Sequence, residues 1–379
     1  MNKLALLLAL IPFLLTASIN ANEVSLDQFP EQLRKGEVNG ILSQFSEQPQ
    51  MLAQVYSIMG RPDKAYDLIQ RFSNAPFCND VGGYEKIFGE ARVKSMLADE
   101  SIFMINENHF NPASRTLTMT WLPWLKAQGF THIGFEALEP NETSKDGFYS
   151  QEPMMSNLIK TAEELGFEVF GYEAEKLAPE DAGFIERFEF RDKQQAEHVV
   201  AEIKKAPKDA KFVLFAGWGH VGEAPLRGPD STTYRVLGDF LNNTYGYETF
   251  SIDTTACAFE PVDESPTTTY AYSNDGNVLN VGSVQPVDSQ IRVPMAPADN
   301  PSYFRRLLGE AFLPDTDSWP PSTAVILQAY YAGTDVVADR VLSEANKKRP
   351  LYLDEGEYRV TLHGLDGNLL WQQRVNRTL

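Results

Sequence analysis

The fold is decided by residues 101–109, which read Ser-Ile-Phe-Met-Ile-Asn-Glu-Asn-His. The four apolar residues at 102–105 predict a short strand that is buried on both faces, as strands of parallel sheets are. Polar residues follow at once, among them Glu107 and His109. The stretch therefore predicts a buried strand with an acid and an imidazole at its carboxyl end.

The same pattern returns four times further along the chain. Alternating strand and helix with right-handed crossovers predicts a mostly parallel sheet that helices cover on both faces. We therefore predict an α/β fold for this part of the chain. The further β-like runs are 132–137, 168–172, 212–216 and 248–252, and the helical patterns between the strands are 115–128, 152–166, 183–206 and 232–243.

The regions on either side of this pattern differ from it. Residues 22–84 have apolar positions at helical spacing and predict a helical N-terminal region before an α/β domain at 85–257. Residues 258–290 are rich in Pro, Ser, Thr, Asp and Asn, which favours a linker. Residues 291–379 predict a small β-rich module, in which 364–368, Gly-Leu-Asp-Gly-Asn, is typical of a hairpin turn.

The amino terminus has the features of an export signal. Lys3 precedes an apolar run that ends at Leu15, and small and polar residues follow up to Ala21. The run is shorter than the roughly 20 apolar residues that span a bilayer. We therefore predict that residues 1–21 are a cleaved signal peptide, and that the protein is periplasmic or secreted without a stable membrane anchor.

Charge and cysteine content limit the possible partners. The chain has 52 acidic against 33 basic residues and a formal net charge of −19, which disfavours nucleic acid and leaves a small-molecule or peptide substrate. Cys78 and Cys257 are its two cysteines. In an oxidising compartment they could form a disulfide, and two buried free thiols are the alternative.

Acidic and imidazole side chains follow the predicted strands. Because the carboxyl ends of parallel strands lie along one edge of a sheet, we expect these side chains to meet there. Converging carboxylates raise one another's pKa unless a cation or a proton lies between them, which is typical of acid–base or metal chemistry. The candidates are Glu107 and His109, Glu136, Glu173, His220 and Asp253.

Two further residues are candidates for substrate binding. Arg191, on the predicted helix 183–206, could neutralise the carboxylates or bind an anionic substrate group. Trp218 suggests an aromatic pocket wall, although core packing is its commoner role. His132, His198 and His363 are interpreted as structural.

The presence and absence of known sequence motifs limit the mechanisms that are possible. Residues 217–222 match G-x-G-x-x-G, but they follow the fourth strand, and Pro225 and Pro229 prevent the helix that would bind a pyrophosphate. No G-x-S-x-G motif occurs, and neither cysteine has a histidine beside it. Water activated by an imidazole, a carboxylate or a metal is the simpler hypothesis.

The order of these motifs resembles the superfamily that contains the erythromycin esterases, the ChaN haem-binding proteins and the TraB/TIKI-type proteases. Residues 106–109, Asn-Glu-Asn-His, take the place of its G-E-x-H motif, and residues 217–220 that of its G-x-x-H. Arg191-Asp192 takes the place of its R-[DE]-x-x-M-A helix, with Gln195 where methionine is common. Glu136 and Glu173 match its later glutamates. The resemblance covers about 85–255.

The resemblance implies three chemistries for one site. In the esterase-like branch, His109 acts as a general base on water without a metal. In the protease-like branch, His109 and His220 bind a divalent metal together with Glu136 and Glu173. In the ChaN-like branch, the same edge binds haem or iron without turnover.

Our leading hypothesis is an exported hydrolase of an ester or amide bond. In this hypothesis, His109 or a carboxylate activates water. The residues that tune the pKa of this base or ligate a metal are Glu107, Glu136 and Glu173, and His220 completes the site. The alternative is a haem or iron binder without catalysis. A third possibility is a noncatalytic envelope protein that uses the C-terminal module to bind a partner.

Overall fold

The computed structural model describes residues 26–72, 85–97, 99–140, 147–227, 232–255, 270–273, 286–293, 303–320 and 322–378. The proposed signal peptide, Cys78 and Cys257 lie outside these residues, so the export signal and the disulfide stay predictions. Within the described part of the chain, no helix combines the length and apolar character that a bilayer crossing requires.

The described residues form helices and strands in the following order. The α-helices are α1 (Phe29–Arg34), α2 (Val38–Gln44), α3 (Pro49–Ile58), α4 (Pro62–Phe72), α5 (Gly89–Met96), α6 (Ala113–Ala127), α7 (Pro153–Glu164), α8 (Phe184–Lys205) and α9 (Leu237–Asn243). The strands are β1 (Glu85–Phe88), β2 (Ile102–Asn106), β3 (Phe130–Phe135), β4 (Glu168–Gly171), β5 (Lys211–Ala216), β6 (Leu226–Arg227), β7 (Thr233–Tyr234), β8 (Phe250–Asp253), β9 (Tyr270–Ser273), β10 (Ser289–Arg292), β11 (Glu310–Phe312), β12 (Val325–Tyr331), β13 (Val337–Ser343), β14 (Leu351–Leu353), β15 (Gly356–Gly364) and β16 (Leu369–Arg377).

The central sheet has eight strands in the order β1-β9-β10-β8-β2-β5-β3-β4. The six strands from β10 to β4 run parallel, and β9 is antiparallel to both its neighbours. The five strands expected from the apolar runs are β2, β3, β4, β5 and β8. The predicted α/β class with a mostly parallel sheet is therefore confirmed.

Helices cover both faces of this sheet. Successive side chains of a strand point to opposite faces. Phe103 packs with Trp121 of α6 on one face. Met104 packs with Val199 of α8 on the other. Burial on both faces explains why the strands are continuous apolar runs rather than alternating ones.

Two strands of the central sheet lie where a linker was expected. Tyr270–Ser273 lies inside residues 258–290, and Ser289–Arg292 begins inside them. The polar composition of this segment favours a loop. Strand β10 nevertheless forms because β8 and β9 supply hydrogen-bond partners on its two sides. Pairing with neighbours outweighs the weak intrinsic propensity here.

The C-terminal part contains a four-stranded antiparallel sheet in the order β13-β12-β15-β16. Strands β15 and β16 form the expected hairpin, and Gly367 adopts a φ of 88° in its turn. The N-terminal helices pack against this sheet. Phe29 and Val55 share an apolar cluster with Ile326 and Leu342. Residues nearly 300 positions apart thus form one core, which no local pattern in the sequence indicates.

The C-terminal sheet also forms hydrogen bonds with a turn of the α/β domain, at residues 149–151. Arg340 is fully buried, and its Nη1 donates to the carbonyl oxygen of Gln151 at 2.7 Å. Its Nε donates to Oε1 of Gln328 at 2.7 Å. Asn157 of α7 donates to the carbonyl oxygen of Ala338 at 2.8 Å. The short 3-10 helix Tyr149–Gln151 and the start of α7 are thereby fixed to the C-terminal sheet.

Glu223 and Asp288 form a partly buried carboxyl pair whose protonation couples stability to pH. Burial, followed by the hydrogen bond and charge of Asp288, raises the pKa of Glu223 to about 9. The folded protein therefore keeps a proton that the unfolded chain releases above a pKa of 4.5. The free energy of unfolding should consequently fall as the pH rises from about 5 to about 9, by at most about 1.4 kcal/mol per pH unit.

We expect the Glu223→Gln variant to lose this part of the pH dependence. Chemical denaturation at several pH values between about 5 and 9 measures the slope of the unfolding free energy. The Glu47→Gln variant, which changes an exposed carboxylate, is the control and should keep the wild-type slope. An unchanged slope in Glu223→Gln would contradict the prediction.

Candidate active site

Four adjacent strands deliver the predicted acidic and imidazole residues to one edge. Strands β2, β5, β3 and β4 are neighbours in that order, and each ends just before a candidate residue. All but Glu173 are buried, and the side chain of Glu173 is 25% exposed. The structure therefore brings together Glu107, His109, Glu136, Glu173 and His220.

His109 is oriented by a buried carboxylate. Its Nδ1 lies 2.8 Å from Oε1 of Glu107. An ionised carboxylate can only accept, so Nδ1 carries the hydrogen and Nε2 of the neutral ring carries the lone pair. The ring of Tyr149 packs at a centroid distance of 4.8 Å. The imidazole is thus held in one tautomer and one orientation.

Glu107 is in turn fixed by Arg115 of α6. Nε of Arg115 donates to Oε2 of Glu107 at 2.6 Å, and Nη2 donates to Oε1 at 2.7 Å. Nη1 donates to Glu152 at 2.8 Å. Burial acts to raise the pKa of Glu107, but Arg115 and His109 outweigh it, so this pKa lies below its ordinary value. The carboxylate that orients His109 is therefore ionised at neutral pH.

Arg191 of α8 lies at the centre of the remaining residues. Its Nε donates to Oε1 of Glu173 at 2.9 Å, and its Nη2 donates to both Glu136 and Glu173. Gln195 Nε2 donates to the same Glu173 oxygen at 3.1 Å. Of the two roles expected for Arg191, this geometry matches neutralisation of the carboxylates. Its proposed contact with substrate charge stays a prediction.

Glu136 is held ionised by the positive charge of Arg191 and by the neighbouring imidazoles. Burial acts to raise its pKa, but His220, Arg191 and His109 outweigh burial and place the pKa well below its ordinary value. The backbone N–H of Gly217 also donates to Oε2 of Glu136. A stable negative charge therefore lies next to His109.

His220 forms a second imidazole–carboxylate pair. Its Nδ1 lies 2.8 Å from Oδ1 of Asp192, and the ring stacks on Phe188 at 5.2 Å. Burial lowers the pKa of His220, but Asp192 and Glu136 outweigh it and raise that pKa above its ordinary value. Nη1 of Arg191 lies 3.0 Å from Nε2 of His220 and can only donate, so this contact uses the neutral ring. After protonation, Nε2 would instead donate to Glu136, which is 3.4 Å away.

Neither a divalent metal nor haem fits this arrangement. Among the residues described, no three His, Cys, Asp or Glu side chains are placed to hold a metal ion. Arg191 lies between Glu136 and Glu173, where a shared cation would bind. His220 is fully buried and His109 is 7% exposed, so neighbouring side chains would have to move before either imidazole could serve as an axial haem ligand.

Asn106, which stands at the glycine position of the motif that the sequence resembles, connects three strand ends. Its Nδ2 donates to Oδ1 of Asp253 at 2.9 Å, and its Oδ1 accepts from the backbone of Gly219 at 3.2 Å. Asp253 therefore contacts Asn106. Trp218 packs edge-on against Phe110 at 5.9 Å, which is a packing role. Its predicted contact with substrate stays a prediction.

Three residues of the site were not identified from the sequence. Arg115, Tyr149 and Glu152 lie in a helix, a short turn and a helix cap, where polar residues are ordinarily solvated. Only the tertiary structure shows that Tyr149 packs on His109, that Arg115 binds Glu107, and that Glu152 binds Arg115. Asp192 was part of the Arg191-Asp192 motif, but its partner was not predicted.

Gly217 is the position where the site tolerates no side chain. A Cβ there would lie 2.5 Å from Nε2 of His109 and 3.0 Å from Oε2 of Glu136. We expect Gly217→Ala to displace His109 and to lower the free energy of unfolding by about 1–3 kcal/mol, as overpacking does. Thermal or chemical denaturation measures this loss.

The matched control is Gly40→Ala in α2. Nothing lies within 4 Å of a Cβ at Gly40, so alanine should stabilise the helix by roughly 0.5–1 kcal/mol. A Gly217→Ala protein as stable as the wild type would show that the space beside His109 is larger than the structure indicates.

Comparisons with known proteins find only distant structural likeness. No protein-family model matches the sequence, and no curated protein matches it. The type III effector HopBA1 is 13% identical with a TM-score of 0.35, over 53% of this chain and 90% of that chain. ChaN of Campylobacter jejuni, reported with cofacial haem binding, is 9% identical with a TM-score of 0.33, over 57% of this chain and 98% of that chain.

A third structure covers more of this chain. The C-terminal region of Pasteurella multocida toxin, described with a thiol-protease like catalytic triad, is 10% identical with a TM-score of 0.31. The match covers 72% of this chain and 45% of that chain, so it spans less than half of the toxin structure. The resemblance to the superfamily of the erythromycin esterases, the ChaN proteins and the TraB/TIKI-type proteases stays a prediction.

Proposed function

We propose that the protein is an exported hydrolase that cleaves an ester or amide bond with water activated by His109 and without a metal. The observation that supports this proposal is the series Arg115–Glu107–His109, in which each buried group orients the next. A carboxylate behind an imidazole favours one tautomer and stabilises the imidazolium that forms when the other nitrogen takes a proton.

The proton transfer follows from the hydrogen positions. Nδ1 of His109 donates to Glu107, so Nε2 is the atom that accepts a proton from water. Water that has lost this proton attacks the carbonyl carbon of the substrate, and His109 then returns the proton to the leaving group.

Arg191, although Glu136 and Glu173 already share it, is the donor that we propose for the substrate oxygen on which negative charge develops. Arg191 carries a full positive charge beside His220, and its side chain is 29% exposed. Fixed donors that face a developing oxyanion are commonly the largest contribution to such reactions. We propose that the substrate approaches from the partly exposed side of Arg191, Glu173 and Trp218.

The same contacts support a mechanism without a metal. Glu136 and Glu173 are shared by one guanidinium, and His220 is held between Asp192 and Arg191. A divalent ion would have to displace Arg191 and separate these pairs. We therefore favour the esterase-like branch over the protease-like branch.

The test is hydrolysis of chromogenic ester and anilide probes by protein purified without chelator, with elemental analysis of the same sample. We expect turnover that a chelator does not reduce, and less than one equivalent of any transition metal. Activity lost on chelation and restored by a metal would refute the metal-free mechanism. A coloured protein with bound haem or iron and no turnover would favour the ChaN-like alternative.

A further inference from the structure

A cavity of about 570 Å³ lies between α1 and the C-terminal sheet, remote in sequence from the His109 site. Its volume is in the range of small-molecule sites. Four of its lining residues are cations and two are carboxylates, although the chain as a whole has a net charge of −19. The charged lining residues are Arg34, Lys35, Arg359, Arg374, Glu31 and Asp335.

Two of the cations face each other on neighbouring strands. Arg359 of β15 and Arg374 of β16 are directly paired in the sheet register. Like charges at directly opposed positions destabilise a sheet. Arg359 is compensated in part, because its Nη2 donates to Oδ1 of Asp335 at 2.8 Å. Arg374 is exposed and makes no ion pair or hydrogen bond with the residues that the structure describes.

The two carboxylates of the cavity are each shared by two cations. Glu31 lies 3.0 Å from Nη2 of Arg34 and 3.0 Å from Nζ of Lys35. Asp335 contacts Arg359 and lies 4.0 Å from Nη1 of Arg34. Among the described residues that line the cavity, four cations therefore stand against two carboxylates, which leaves an excess of positive charge in the lining.

We propose that this cavity binds a phosphate group. A planar carboxylate ligand satisfies one guanidinium fork, whereas a tetrahedral oxyanion has enough oxygens for the two opposed arginines and Lys35 together. Arg359 is already oriented, since it also lies over the ring of Tyr330 at 4.4 Å. The phosphate can belong to a soluble phosphorylated molecule or to a lipid headgroup, because both present the same oxygens.

The experiment measures binding of pyrophosphate by calorimetry and binding of phosphatidylcholine vesicles with and without phosphatidic acid by sedimentation, using the full chain. We expect saturable binding in at least one arm, weaker at high salt. Binding of pyrophosphate alone indicates a soluble ligand. Binding only to vesicles that contain phosphatidic acid indicates a headgroup.

The Arg374→Gln variant tests whether the cavity is the site. Removal of one charged hydrogen-bond donor should weaken binding about tenfold or more. Lys208→Gln removes an exposed charge elsewhere and should leave binding within about twofold of the wild type. No binding in either arm, or equal weakening in both variants, would overturn the proposal. Circular dichroism confirms that each variant is folded.

Discussion

Replacing His109 with glutamine is expected to lower the rate of hydrolysis by about 10²- to 10⁴-fold, the usual contribution of a positioned general base. The glutamine amide can still donate a hydrogen bond to Glu107, as Nδ1 of His109 does at 2.8 Å. It cannot accept a proton from water, because an amide is not basic near neutral pH. Initial rates with the ester and anilide probes measure the loss.

The control for this variant is His198→Gln on α8. His198 lies 3.2 Å from the carbonyl oxygen of Tyr172 and belongs to a partly exposed helix face. Its replacement should leave the rate within about twofold, as is usual for surface substitutions. A His109→Gln protein that is folded and retains more than about a tenth of the wild-type rate is incompatible with the general-base role.

Replacing Arg115 with methionine is expected to lower the free energy of unfolding by about 3–5 kcal/mol, because it leaves buried carboxylates without their cation. Arg115 is 1% exposed and makes a two-pronged contact with Glu107 and a third bond to Glu152. Methionine is similar in length and lacks the charge. Urea denaturation at neutral pH measures the difference.

The matched control is Arg34→Met, which removes a partly exposed ion pair with Glu31 at 3.0 Å. Such pairs contribute at most about 1 kcal/mol, so this variant should remain close to the wild type. The double variant Glu107→Gln with Arg115→Met should recover part of the lost stability, since one uncompensated charge is gone. If Arg115→Met costs no more than the control does, the buried pair is not a major source of stability.

Much of the central fold could be predicted from short stretches of sequence. The apolar runs that became β2, β3, β4, β5 and β8 are continuous because both faces of these strands are buried. The candidate site could be predicted equally well, because Glu107, Glu136 and His220 each follow a strand of the same sheet. Parallel strands all end at one edge, so a one-dimensional pattern was sufficient to bring these residues together.

Other parts could not be predicted, for identifiable physical reasons. Strands β9 and β10 lie in a polar segment and exist through pairing with neighbours that are distant in sequence. The contact of α1 and α3 with the C-terminal sheet joins Phe29 and Val55 to Leu342. An amphipathic helix shows that it has a partner, but its apolar face does not specify which partner.

The pairing of cations with carboxylates in the site was likewise decided by the tertiary structure. In sequence, Arg115 is a polar position on a predicted helix and is indistinguishable from a solvated one, whereas Arg191 was a candidate cation whose individual partners were not predicted. In the fold, Arg115 contacts Glu107, and Arg191 lies between Glu136 and Glu173. The sequence by itself determined which acids and imidazoles share an edge, because the strand–helix–strand alternation makes the strands parallel and their carboxyl ends then lie together. Only the tertiary structure decided which cation neutralises which carboxylate, because that depends on distance and burial across elements far apart in the chain.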